Sequence, residues 1–180
     1  GSCFPKDTKA LNFQSDHAGV KLKTVKATID VNREQRTRLI DKARRFFPTF
    51  RDVRVAIIGL TFKPGTDDLR EAPAKQNIDI LLNEGADIIA WDPLGVENFR
   101  KRYPNCAINF AKDIDEALTD ADVCLIMTEW EKIVEYPLDN YKKYMKRPLV
   151  FDGRNCYKLS EAEKHEIFYD SIGRKIVDTL

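Results

Sequence analysis

The clearest hydrophobic pattern lies at Val53–Ile58, where five of six residues are apolar (V-R-V-A-I-I), followed by Gly59 and a loop holding Lys63, Pro64, Gly65, Thr66, Asp67 and Asp68. A short apolar run stopped by turn residues predicts a buried strand. Further strands are predicted at Ala86–Trp91, Ala107–Phe110, Val123–Met127, Pro148–Asp152 and Ile167–Ile172. Between them Ala74–Asn83, Gly95–Arg102, Asp113–Leu118 and Leu138–Met145 read as helices; Gly85 stops the first of these, and an acidic cap opens the third. Strands alternating with helices through right-handed crossovers predict an α/β fold with a doubly wound, mostly parallel, six-stranded sheet in the order 3-2-1-4-5-6.

Ahead of the sheet the period changes. From Ala18 to Phe47 apolar residues recur at steps of three and four, with no proline until Pro48. This predicts one long helix or two joined helices. The centre, Asp30–Arg38, is very polar. About 30 helical residues would span roughly 45 Å, more than a small domain needs. Such a helix either bridges two domains or subunits, or lies solvated along one domain. The chain therefore divides into residues 1–15, a helical segment 16–48 and a sheet domain 49–180.

Composition narrows the function classes. Thirty basic and 29 acidic side chains leave a net charge of +1, so no overall field favours nucleic acid or an anionic membrane. No apolar run approaches the ~18 residues of a membrane span, and the first residues lack the pattern of a signal peptide. Cys3, Cys106, Cys124 and Cys156 are too widely spaced for a CxxC motif, and there are only two histidines; no metal site is expected. Cys124, inside an apolar run, reads as a core residue. A reducing, cytoplasmic setting is the expectation for such a chain.

In doubly wound sheets, ligands sit beyond the carboxyl ends of the strands, near the switch between strands one and four. The loop Gly59–Arg70, Thr128-Glu129-Trp130 and Asp152-Gly153-Arg154-Asn155 should face one crevice there. Lys63, Arg70 and Arg154 would then supply three cations, enough for a pyrophosphate, although each alone reads as a surface charge. The dinucleotide fingerprint G-x-G-x-x-G is absent, and Phe62 and Pro64 would keep a pyrophosphate off the helix N-terminus. Asp92 mimics a ribose-binding carboxylate but is equally a plain Asp-Pro strand terminator. Near the start, Cys3, Lys6 and Asp7 place a thiol, an ammonium and a carboxylate within five residues. A neighbouring lysine favours the nucleophilic thiolate, while a chain end also carries incidental cysteines.

Five stretches carry a resemblance: G-S-C-F-P-K-D-T-K-A-L, D-V-N-R-E-Q-R, G-L-T-F-K-P-G-T-D-D-L-R-E-A-P, T-E-W and F-D-G-R-N. In this order and spacing, over residues 1–172, the chain resembles the UDP-glucose 6-dehydrogenases. The resemblance implies a catalytic cysteine loop, a central dimerisation helix and a C-terminal nucleotide-sugar domain, without an N-terminal NAD-binding domain. It implies Cys3 as the nucleophile in two successive NAD-dependent oxidations of UDP-glucose to UDP-glucuronate. The aldehyde would be held as a thiohemiacetal and released by water from a thioester. Asp7 would act as general base, and Lys6 would lie near the cofactor or oxyanion. Phe62, Lys63 and Arg154 would bind the UDP-sugar, Arg70 would reach towards NAD, and Thr66, Asp67, Asp68 and Glu71 would scaffold the loop. A homodimer through the long helix is implied. Two alternatives remain: a dehydrogenase for GDP-mannose or a UDP-N-acetyl sugar, and a non-catalytic nucleotide-binding or dimerisation module.

Overall fold

The computed structural model describes residues 3–179, with side chains from Phe4 onward. Its order is α1 (Cys3–His17), α2 (Lys23–Gln35), α3 (Arg38–Ala43), β1 (Arg54–Ile58), α4 (Pro73–Asn83), β2 (Asp87–Trp91), α5 (Val96–Arg102) and β3 (Asn109–Phe110). There follow α6 (Ile114–Leu118), β4 (Val123–Ile126), α7 (Glu131–Val134), α8 (Asp139–Tyr144), β5 (Leu149–Asp152), α9 (Leu159–Lys164) and β6 (Phe168–Ser171).

The six strands form one sheet in the order β3-β2-β1-β4-β5-β6, and every neighbouring pair is parallel. This is the predicted order. All four residues of β4, β5 and β6 are buried, because parallel strands are covered on both faces. Alternate residues feed two cores. Ala56, Ile58, Cys124, Ile126 and Val150 meet Leu118, Tyr141 and Ala162 on one side. Val55, Ile57, Leu125, Phe151 and Phe168 meet Ile78, Leu81, Phe99 and, from α3, Leu39, Ile40 and Ala43 on the other. Cys124 is fully buried, as its apolar run predicted. Two short helices, α7 and α9, had no sequence signal strong enough to place them.

The N-terminal helical stretch is divided. Gly19, at φ +71°, ends α1: its N–H donates to Asp16 O (3.1 Å) and that of Val20 to Ser15 O (2.9 Å), the paired bonds of a Schellman motif. Residues 3–15, read from sequence as a loop, are therefore helical. Beyond Leu22 the expectation of joined helices describes the chain, with α2 and α3 meeting at Arg36-Thr37. Thirteen residues give α2 a length of only ~20 Å.

These helices differ in what they bury. In α2 no residue is buried, and α1 packs against it while leaving Leu11 and Phe13 exposed. By contrast, α3 is stapled to the far edge of the sheet. The Asp170 carboxylate, buried in β6, accepts from Lys42 Nζ (2.7 Å) and Arg45 Nη2 (2.6 Å). A buried carboxylate needs such partners. Thus α3 covers the second half of the sheet, as α4 and α5 cover the first.

Candidate functional site

At the carboxyl edge of β1 the chain turns sharply beneath the β4 loop. Gly59 has φ +94°, and a Cβ placed there would lie 2.6 Å from Thr128 Cβ, so only glycine fits. The Thr128 hydroxyl donates to Thr61 O across this contact. Asp92, following β2, then fixes the turn. Its Oδ2 accepts from Leu60 N (2.8 Å), Thr61 N (3.1 Å), Thr61 Oγ1 (3.0 Å) and Trp130 Nε1 (3.1 Å). Its Oδ1 accepts from Leu94 N (3.0 Å) and Gly95 N (2.7 Å). Of the two readings left open for Asp92, this bonding is that of a structural clamp. The backbone amides after β1, which hold phosphate in a glycine-rich fingerprint, are here turned onto a protein carboxylate.

The β5 loop is built around a second buried carboxylate. Asp152 Oδ1 accepts from Arg154 N (2.6 Å), while Oδ2 accepts from Cys156 N (2.7 Å) and the Tyr169 hydroxyl (2.6 Å). This aims the Arg154 side chain back over β4, where Nη2 donates to Phe62 O (2.8 Å) and Nε pairs with Glu129. Nη1 bonds none of the described residues. Arg154 thereby joins the three loops that the sequence placed together.

A crevice of about 350 Å³ opens here, walled by Phe62, Glu71, Met127, Gly153, Arg154 and Ile172 from the sheet domain, and by Pro5, Asn32, Gln35, Arg36 and Leu39 from the helices. The volume suits a small-molecule ligand. Of the three expected cations only Arg154 lines it. Lys63 is exposed, its Nζ 5.5 Å from the centre of the Phe62 ring. Arg70 turns back on its own loop, its Nη2 2.8 Å from Asp68 Oδ2, and this guanidinium holds the Asp68 carboxyl below its ordinary value. A residue on a loop tip has two faces to choose from, and strand-end position alone does not choose. Thr66 Oγ1 accepts from Asp68 N (3.1 Å) and Phe62 N donates to Asp68 O (3.1 Å), closing the loop; Asn98 Nδ2 donates to Asp67 O (2.8 Å).

At the start of α1, Lys6 and Asp7 are exposed and face each other at 3.5 Å; neither lines the crevice, although Pro5 does. The Cys3 side chain lies outside the described residues. Burial pushes the thiols of Cys124, Cys156 and Cys106 upward, so these three stay protonated and poorly nucleophilic at neutral pH.

Sequence reasoning missed Arg36. Its guanidinium pairs with Glu71, which also accepts from Lys9 Nζ at 3.2 Å. The Arg36 guanidinium, with Lys9 behind it, holds the Glu71 carboxyl below the usual carboxylate range. A signal was present: Asn32, Gln35 and Arg36 follow the i, i+3, i+4 spacing of one helical face. No helix among the described residues is long and apolar enough to cross a membrane.

Residues 56–159 match the model of the UDP-glucose/GDP-mannose dehydrogenase family, UDP binding domain. The chain is 41% identical, over 98% of its length, to the UDP-glucose 6-dehydrogenase YwqF of Bacillus subtilis, of which it covers 40%. It is 39% identical, over 92% of its length, to the UDP-glucose 6-dehydrogenase AglM of Haloferax volcanii, of which it covers 37%. A solved UDP-glucose dehydrogenase from Pyrobaculum islandicum superposes with a TM-score of 0.79 at 27% identity, over 94% of this chain and 37% of that one. The chain thus spans about 40% of the length of the curated relatives it matches. The resemblance carried by the five motifs is borne out.

Proposed function

Because the chain belongs to the UDP-glucose/GDP-mannose dehydrogenase family, we propose that its crevice binds the UDP moiety of a nucleotide sugar within an enzyme that oxidises UDP-glucose to UDP-glucuronate. The observation that carries this reading is the joining of Arg154 to Phe62 at the common carboxyl edge of β1, β4 and β5. A guanidinium fork with an unengaged nitrogen suits a diphosphate oxygen, and the half-buried Phe62 ring offers an apolar face beside it. Lys63 is the second substrate-binding cation of this reading, swinging in from the exposed loop.

The domain's own residues do not fit NAD in the usual β1–β2 manner, since Asp92 and the amides of Leu60 and Thr61 are committed to each other. The cofactor is held elsewhere in this reading, with Lys6 and Arg70 as the cations proposed to reach it, Arg70 by turning away from Asp68. The 180-residue chain by itself is expected neither to bind NAD tightly nor to turn over UDP-glucose; measurable NADH production from the purified polypeptide would refute that.

Cys3, two residues from the crevice-lining Pro5, is proposed as the nucleophile, with Asp7 as the base that activates water. Replacing Cys3 by serine in the full-length enzyme should abolish turnover while substrate affinity is kept. A homodimer of the chain is proposed through the helical segment 16–48, where Val20, before α2, and Val31, on α2, are exposed. Light scattering that finds a monomer at micromolar concentrations would count against it. For the binding reading itself, calorimetric titration of this chain with UDP, UDP-glucose and GDP-mannose is the direct test. Saturable binding of the two uridine ligands is expected; binding of GDP-mannose alone, or of none of the three, would overturn it.

A further inference from the structure

The crevice has a second arginine, on the part of its wall that the helices supply. Arg36 stands at the end of α2, half-buried, with 21% of its side chain exposed. Its main chain is clamped: the Asn77 side chain, fully buried in α4, donates through Nδ2 to Arg36 O (2.7 Å) and Pro73 O (2.8 Å). Asn77 Oδ1 is left as a buried polar atom with no partner among the described residues. Leaving such an atom unpaired costs roughly 1–3 kcal/mol, so the anchoring of the Arg36 backbone comes at the expense of an orphaned acceptor.

The Arg36 side chain is far less committed than its base. Only Nη2 bonds a described residue, the carboxylate of Glu71; Nε and Nη1 bond none. Glu71, for its part, does not depend on Arg36 alone, because Lys9 Nζ reaches its other oxygen at 3.2 Å. If Arg36 turned into the crevice, Glu71 would keep a cation. The geometry is that of an arginine held in reserve: a fixed backbone, four donors unengaged and a carboxylate with a replacement partner.

Taking the nucleotide-sugar reading of this crevice as its basis, we propose that Arg36 is a second diphosphate-binding residue, and that Glu71 competes with the diphosphate for it. Before ligand arrives, Glu71 neutralises Arg36 and lessens the cost of keeping two guanidinium groups on one small cavity. A diphosphate entering between Arg154 and Arg36 takes the open donors of both, and Glu71 passes to Lys9. No covalent bond changes; one ion pair is exchanged for another. The exchange loosens the tie between Glu71 and α2 and strengthens that to α1, so occupancy of the crevice bears on the helix that begins at Cys3.

Competition gives the two partners opposite signs. With this chain and UDP as the titrant, Arg36→Gln should weaken binding about tenfold, the size of one charge-assisted hydrogen bond, and Arg36→Lys should restore part of the loss. Glu71→Gln should tighten binding about threefold. The double variant should match Arg36→Gln, because relieving competition has no effect once Arg36 is gone. Uridine, which lacks the diphosphate, should bind wild type and all variants alike, and this reports on folding of the site independently. If wild type binds UDP but Arg36→Gln equals it, the inference falls while the nucleotide-sugar reading survives. Weaker binding by Glu71→Gln would also overturn the inference, showing that Glu71 positions the site rather than competes for it. If wild type binds neither UDP nor UDP-glucose, the nucleotide-sugar reading falls and takes this inference with it.

Discussion

The carboxyl edge of the sheet has two halves built from similar parts and used differently. Over β1 and β2, a buried carboxylate at Asp92 accepts from six donors and seals the edge. Over β4 and β5, the buried carboxylate of Asp152 instead orients an arginine whose fork reaches a crevice. In the first half the protein satisfies its own amides; in the second it keeps guanidinium donors for something else. A doubly wound sheet thus does not dictate which side of its switch point takes the ligand. The side chain that follows each strand decides.

Breaking the sealed half should have the largest effect. Asp92→Ala removes an acceptor that four backbone amides, a hydroxyl and an indole N–H all use; a loss of ~3–5 kcal/mol in unfolding free energy is expected. Urea denaturation measures it, and a loss below ~1 kcal/mol would mean the seal does not depend on this carboxylate. Next comes the contact between the halves. Gly59→Ala combines a left-handed φ with a Cβ 2.6 Å from Thr128 Cβ, and ~2–4 kcal/mol of destabilisation should follow in the same assay. The open half should respond in binding instead of stability. Arg154→Gln is expected to weaken UDP binding at least tenfold, ~1.5–3 kcal/mol, while its ion pair with the partly exposed Glu129 contributes no more than ~1 kcal/mol to folding. An equal loss in both would erase the distinction between the halves.

The smallest effect concerns acid. The hydroxyls of Tyr136 and Tyr144 donate to Asp115 at 2.6 and 2.7 Å, and those bonds hold its carboxyl below the ordinary value. A depressed folded-state pKa stabilises fully above the unfolded value of ~3.9 and fades as pH falls through it and beyond. Asp115→Asn should therefore lower stability modestly above about pH 4 and flatten the acid limb of a stability–pH curve below it, since the contribution lost in acid is then absent throughout; an unaltered limb would assign the acid dependence elsewhere.

The strand order was legible because Val53–Ile58 and Val123–Met127 are apolar on both faces, which only a central, doubly covered strand tolerates. The division at Gly19 was hidden by apolar residues that continue in helical register across it. At the site, Arg154 could be read because backbone topology carries strand ends to one place. Arg36 was harder to read, because it enters from an element outside the alternation, and its charge is matched by a residue 35 positions away. Lys63 and Arg70 show the converse: the loop can be placed from sequence, but it does not fix the direction of a long side chain, and neither lines the crevice. Asp92 looked like a terminator and a ligand-binding group alike, since the donors that satisfy it come from three separate segments.

The stapling of α3 to β6 determines where this protein can be cut. A boundary at residue 49, where the periodicity changes, would discard Leu39, Ile40 and Ala43 from the core and strip both cations from Asp170, leaving a carboxylate sealed in the interior without counter-charge. Any excised domain, chimera or split-protein design should keep the chain from Arg36 onward, whose carbonyl the buried Asn77 holds, and the separable piece is the two-helix arm that ends at Gln35.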